Sequence, residues 1–136
     1  MRIAIDAMGG DYAPAEIVAG ALEAREVLSK DDEIVLIGDE PIIHEHLIRL
    51  KAKPDTFHIF HASEVIGMDE SPVEALRRKK KSSIAIMARA ASHRQVDAVL
   101  SAGNTGACVA ACQLRMRNLE GVLRPGIAAV LPTLGG

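Results

Sequence analysis

The chain has 136 residues, of which 49% are hydrophobic and 25% are charged, a composition typical of one folded domain with its own core. Sixteen Lys and Arg residues against eighteen Asp and Glu residues give a net charge of -2, which argues against a generally basic nucleic-acid-binding protein. Two Phe, one Tyr and no Trp exclude the aromatic surfaces on which single-stranded nucleic acids stack.

In the first half of the chain, short apolar runs alternate with helical periodicity, which is the pattern of a parallel α/β sheet. Residues 3–5 predict a buried strand, and residues 15–29 predict a helix with one apolar stripe. A second strand is predicted over 33–37 and a third over 56–61, with a helix that opens at Pro41 between them.

The second half continues this alternation after a less regular segment, 63–68, which we interpret as a strand end and a loop. Its predicted elements are a helix that begins at 71 and runs into 77–81, a helix from 83, a strand over 97–100, a helix over 105–117 and a strand over 127–131. A last strand without its helix leaves the final βα unit unfinished. We therefore expect residues 1–136 to be a single α/β domain that forms the N-terminal part of a longer protein.

The cysteines and the N-terminus predict a cytoplasmic protein. Cys108 and Cys112 are the only two cysteines and lie one helical turn apart, so they do not indicate a disulfide between distant segments. The N-terminus has no apolar stretch or cleavage site of a signal peptide, and no apolar run approaches the ~20 residues of a membrane span. The two thiols are interpreted as small core residues, with activation by the helix N-terminus as the alternative.

A first glycine-containing loop, residues 6–11, follows the first predicted strand. In open α/β sheets, ligands bind at the carboxyl ends of the strands. Gly9 and Gly10 allow the backbone to approach a ligand closely, and Asp6 and Asp11 are suited to orienting donors or binding a cation. A tight turn with an aspartate cap would explain the same residues.

A second loop, residues 101–107, joins a predicted strand to a helix N-terminus. Such a junction presents unpaired main-chain N–H groups and the positive end of a helix dipole, both of which favour a phosphate group. The side-chain donors and glycines of this loop are Ser101, Gly103, Asn104, Thr105 and Gly106. An ordinary turn with a threonine cap is the alternative, but two such loops on neighbouring strands favour a binding site.

Other motifs narrow the choice of function. Neither loop matches the P-loop or the dinucleotide-binding motif. The basic run 77–81 is either a solvated helix face or a docking surface for an acidic partner.

Histidines do not predict a metal site, because the members of each close pair point to different sides of their element. These pairs are His44 with His46 and His58 with His61.

Six short motifs together resemble one family. They are Asp-Ala-Met-Gly-Gly-Asp at 6–11, Ala-Pro at 13–14, Arg-Lys-Lys-Lys-Ser-Ser at 78–83, Ser-Ala-Gly-Asn-Thr-Gly-Ala at 101–107, Arg-Pro-Gly at 124–126 and Leu-Pro-Thr at 131–133. In this order and spacing, the whole chain resembles the N-terminal part of the PlsX family, the bacterial phosphate acyltransferases that use acyl carrier protein. Members of that family are more than twice as long as this chain.

The resemblance implies an activity, a fold and partners. The family transfers a fatty acyl group from acyl carrier protein to inorganic phosphate, and the acyl phosphate enters phospholipid synthesis. The implied fold is a three-layer α/β/α arrangement with a mostly parallel sheet, similar to the phosphate acetyltransferases and isocitrate dehydrogenases. The resemblance also implies a homodimer in the cytoplasm that associates peripherally with the membrane, with no cofactor, metal or nucleic acid.

We assign site residues on the basis of this chemistry. Asp6, Lys80 and Asn104 are the predicted catalytic residues. The predicted phosphate- and substrate-binding residues are Gly9, Gly10, Asp11, Lys79, Lys81, Ser101, Gly103, Thr105 and Gly106. Two alternatives remain open at this stage: a phosphate acetyltransferase-like enzyme that uses acyl-CoA, and a non-catalytic module that binds an anion or a carrier protein.

Overall fold

A computed structural model describes residues 1–128, in which four parallel strands form one sheet with the order β3-β2-β1-β4. The strands are β1 (Arg2–Asp6), β2 (Glu33–Gly38), β3 (His58–His61) and β4 (Ala98–Leu100). The helices are α1 (Ala15–Val27), α2 (Glu40–Arg49), α3 (Pro72–Arg78), α4 (Ser83–Ser92) and α5 (Thr105–Met116). This confirms the predicted α/β class with a parallel sheet.

The sheet is covered on both faces, as β2 shows. Ile34 and Leu36 pack in one apolar cluster with α1 and α2, whereas Val35 and Ile37 pack in a second cluster with α4. None of these four side chains is more than 5% exposed, so both sides of the strand lie in a core. The strand is therefore continuously apolar rather than alternating, as expected for a parallel sheet between two helical layers.

Small side chains place α5 against its neighbours. Ala107 and Ala111 of α5 are buried in a third cluster with Ala75 of α3 and with Ile84 and Ala88 of α4. Alanine side chains allow helices to approach closely, which fixes the first turn of α5 relative to the start of α3. No helix within residues 1–128 is long and apolar enough to cross a membrane.

Three helices begin at side-chain caps. Asp39 caps α2 by accepting from the main-chain N–H of Ile42 at 3.3 Å, and Ser82 caps α4 by accepting from Ala85 at 3.4 Å. Asn104 caps α5 in the same way. By contrast, α3 begins at Pro72 as predicted, but the side chain of the preceding Ser71 makes no capping hydrogen bond.

Several predicted boundaries were wrong by a few residues. The third strand begins at His58 because Pro54–Thr56 forms a 3₁₀ turn. The helix α3 ends at Arg78 instead of continuing through the basic run, because the chain turns there to form a bridge between Glu64 and Ser82. Of the strand predicted over 127–131, residues 127–128 are irregular and the remaining three lie outside the described residues.

Candidate functional site

The two glycine-containing loops lie side by side because β1 and β4 are neighbours in the sheet. Ile5 pairs with Leu100, so Asp6 and Ser101 leave the sheet together. The Ser101 hydroxyl donates to Oδ2 of Asp6 at 2.8 Å and accepts from the N–H of Gly103 at 3.1 Å. Asp6 is only 1% exposed, and its Oδ1 accepts from the N–H of Met8 at 3.1 Å. The hydroxyl of Ser101 thus joins the two loops to one buried carboxyl group.

The backbones of the two loops touch at a pair of glycines. A Cβ atom added to Gly9 would lie 2.5 Å from Oδ2 of Asp6 and 2.8 Å from the N atom of Gly103. Gly10 has a φ of +116°, a conformation that L-amino acids with side chains rarely adopt. Asp11 follows with an exposed side chain. This close approach explains why side chains are excluded there.

The first turn of α5 faces this junction with unpaired donors. The N–H of Ala107 donates to Oδ1 of Asn104 at 2.9 Å. Among residues 1–128, no acceptor binds the N–H groups of Thr105 and Gly106, and the side chain of Thr105 is exposed. Because these N–H groups stand at the positive end of the helix dipole, this turn is suited to binding an anion.

Asn104 is occupied by contacts within the protein. Its Nδ2, which carries two N–H groups, lies within hydrogen-bonding distance of three main-chain carbonyl oxygens in the loop before α3, at 3.1–3.2 Å. These acceptors belong to Gly67, Met68 and Glu70. The residue is 6% exposed, and all the polar atoms of its side chain have partners. Its geometry therefore indicates a residue that orders a loop.

Lys79 is also held within the protein. Its ammonium group donates to the carbonyl oxygen of Val65 at 2.7 Å and forms an ion pair with Glu70. Glu70 also accepts from the N–H of Gly67 at 2.7 Å. The hydrogen bond from Lys79, followed by that from Gly67, holds the pKa of Glu70 below its usual range. The sequence predicted a strand end and a loop at 63–68, but no pattern of residue types marked this loop as a partner of Lys79.

Lys80 and Lys81 are not brought to the two loops by any contact within residues 1–128. Both side chains are exposed. The hydrogen bonds of these two residues are made by their main-chain atoms. The carbonyl oxygen of Lys80 accepts from the Arg89 side chain at 3.4 Å, and the N–H of Lys81 donates to the Glu64 carboxylate at 2.8 Å. The ammonium groups of these two lysines thus remain available on the surface beside α3.

The two cysteines lie on the side of α5 that faces the core. Cys108 packs against the cluster beneath β1 and β2, and Cys112 packs against the cluster shared with α3 and α4. Their mutual hydrogen bond, with burial, raises the pKa of the Cys108 thiol, and the same bond lowers the pKa of Cys112 to about 7. Within residues 1–128, no three His, Cys, Asp or Glu side chains gather as a metal ion would require.

Comparison with known proteins gives consistent matches over the whole chain. The model of a family described as "Fatty acid synthesis protein" matches residues 1–136. A phosphate acyltransferase from Gloeothece citriformis is 48% identical over 133 residues, and one from Magnetococcus marinus is 46% identical over 138 residues. A third, from Thermoanaerobacter pseudethanolicus, is 48% identical over 136 residues. These matches cover 98–100% of the chain, which spans 37–40% of the length of these relatives.

Proposed function

The chain belongs to the family of fatty acid synthesis proteins, as its motifs indicated, and on that premise we propose that the protein is a phosphate acyltransferase. Its substrates are a fatty acyl group carried by acyl carrier protein and inorganic phosphate. The observation that carries this proposal is the 46–48% identity with phosphate acyltransferases across the whole chain. The contact between the two loops supports it physically.

In this proposal, phosphate binds at the first turn of α5. The unpaired N–H groups of Thr105 and Gly106 and the hydroxyl of Thr105 supply the donors. The facing wall is the backbone at Gly9 and Gly10, where the absence of Cβ atoms lets this loop pack directly against Ala102 and Gly103 of the second loop. Asp6 and Ser101 hold the two walls at a fixed separation.

The chemistry requires only the two substrates. An oxygen of phosphate attacks the thioester carbonyl carbon, a C–O bond forms, and negative charge develops on the carbonyl oxygen. As this intermediate collapses, the C–S bond breaks and the thiol group of the carrier leaves as a thiolate that takes up a proton. Because phosphate is already a nucleophile, the main contributions of the protein are positioning and stabilisation of the developing oxyanion.

The test is the release of free thiol from a long-chain acyl carrier protein, measured with the full-length protein in the presence and absence of phosphate. We expect release only with phosphate, together with formation of acyl phosphate. Acyl-CoA is offered in parallel, and a clear preference for it would instead indicate a phosphate acetyltransferase-like enzyme. Binding of carrier protein without any phosphate-dependent release would contradict the proposal and favour a non-catalytic module.

The exposed basic residues beside α3 are proposed to bind the acidic carrier protein. Lys80 and Lys81 have exposed side chains, whereas Lys79 is paired with Glu70. The acyl phosphate product has a long apolar chain, which favours peripheral association with the membrane. The homodimer implied by the resemblance stays a prediction.

Reversal of the charge at Lys80 and Lys81 provides a specific prediction. We expect the Lys80→Glu/Lys81→Glu variant to raise the KM for acyl carrier protein about tenfold and to flatten its dependence on salt, because steering by charge is lost. The KM for phosphate should stay unchanged. The matched control is Lys30→Glu/Lys53→Glu, which makes the same charge change at exposed positions that precede β2 and β3, at the amino ends of the strands. An unaltered salt profile would identify Lys80 and Lys81 as solvated surface residues with no role in docking.

A further inference from the structure

Residues 64–70, here called the 64–70 segment, contain no helix or strand but are tightly held from two sides. The segment leads directly into α3, and α3 begins against the first turn of α5. A Cβ atom added to Gly106 would lie 2.7 Å from Cγ of Pro72, which shows how closely these two helix starts approach. The segment is therefore a neighbour of the proposed anion site.

Asn104 holds the segment from the side of α5. Its Nδ2 lies within hydrogen-bonding distance of the carbonyl oxygens of Gly67, Met68 and Glu70, while its Oδ1 accepts from the N–H of Ala107. The side chain of Asn104 thus caps α5 and contacts three carbonyl groups of the segment. If Asn104 turned towards a bound anion, these three part-buried hydrogen bonds would be lost, which costs free energy.

Lys79 holds the segment from the other side. Its ammonium group lies between the carbonyl oxygen of Val65 and the carboxylate of Glu70. The carboxylate in turn accepts from the N–H of Gly67, and the N–H of Glu70 donates to the carbonyl oxygen of Gly67 at 3.3 Å. Lys79 and Asn104 therefore act on the same turn of the chain.

We propose that Asn104 is a positioning residue that fixes the 64–70 segment beside the first turn of α5, so that the segment forms one wall of the phosphate site. This inference rests on the proposed function for the identity of the anion. It differs from the roles predicted from the sequence, in which Asn104 is a catalytic residue and Lys79 binds phosphate or substrate. In this arrangement, the anion binds the main-chain N–H groups of the first turn of α5 and the hydroxyl of Thr105.

The decisive variant is Asn104→Ser in the full-length protein. Serine is as good a helix cap as asparagine, so α5 keeps its start, but its side chain is too short to reach the three carbonyl groups. We expect hydrogen exchange at the amides of Gly67 and Glu70 to become at least about tenfold faster, as loss of the tether allows local opening. The kcat of phosphate-dependent thiol release should fall together with this protection.

The matched control is Thr105→Ala, which removes a donor to the anion and leaves the segment tethered. It should raise the KM for phosphate without changing exchange at Gly67 or Glu70. If Asn104→Ser raised the KM for phosphate with unchanged exchange, Asn104 would be a phosphate ligand and the inference would be wrong. Exchange is measured without turnover, so absence of activity in the wild-type protein would count against the proposed function and not against the tether.

A second variant covers the case in which Asn104→Ser does not fold. Lys79→Met keeps the length and apolar stem of the side chain but removes the donor to Val65 and Glu70. We expect the same faster exchange at Gly67 and Glu70, with the melting temperature of the protein showing that the global fold persists. Unchanged exchange in this variant would overturn the view that the segment is held from both sides.

Discussion

Replacement of Gly9 by alanine is expected to lower kcat/KM for phosphate-dependent acyl transfer about 100-fold, because displacement of a site by about 1 Å has effects of that size. The new Cβ atom would lie 2.5 Å from Oδ2 of Asp6 and 2.8 Å from the main-chain N of Gly103. Neither neighbour is the free end of a flexible side chain: one is a buried carboxylate and the other is backbone. The two loops must therefore separate.

Stability should change in the same direction. Overpacking at a buried contact costs about 1–3 kcal/mol, so we expect the free energy of unfolding of Gly9→Ala to fall by that amount. The matched control is Gly20→Ala in α1, where an added Cβ atom meets nothing within 4 Å. That control should raise the free energy of unfolding by about 0.5–1 kcal/mol, because alanine favours a helix. Activity of Gly9→Ala within twofold of wild type would show that the loops do not form one site.

The elements of the fold were largely predictable because their apolar patterns are simple. The apolar run at 33–37 predicted a strand, and β2 forms there with Ile34, Val35, Leu36 and Ile37 buried. The two loops were predicted to lie on neighbouring strands, and the pairing of Ile5 with Leu100 confirms this. Loops that follow parallel strands lie at the same end of the sheet, so the predicted strands were sufficient to place both loops there.

The direction of individual side chains could not be predicted from the sequence. The acceptors of Asn104 are main-chain carbonyl groups 34 to 37 residues earlier in the chain. Every residue carries such a group, so no pattern of residue types marks these three as partners. The end of α3 at Arg78 has a similar cause, because the bridge between Glu64 and Ser82 depends on a tertiary contact.

The buried hydrogen bond between Asp6 and Ser101 leads to the second large prediction. We expect Asp6→Asn to lower kcat/KM for acyl transfer about 100-fold through displacement of the loops. Both carboxylate oxygens of Asp6 accept hydrogen bonds, one from the Ser101 hydroxyl and one from the N–H of Met8. In asparagine an NH2 group replaces one of these oxygens. That NH2 group would face a hydrogen-bond donor and could not accept from it. The free energy of unfolding should fall by about 1–3 kcal/mol, the cost of an unmade buried hydrogen bond.

A double-mutant cycle separates this coupling from a general loss of charge. Asp55→Asn makes the same chemical change at an exposed position and should leave both activity and stability near the wild-type values. Ser101→Ala removes the shared hydroxyl, so the effects of Asp6→Asn and Ser101→Ala should be coupled by about 0.5–3 kcal/mol. Additive effects would mean that the two residues act separately. In that case the close approach of Gly9 and Gly103, and not the hydrogen bond between Asp6 and Ser101, would set the distance between the two walls of the site.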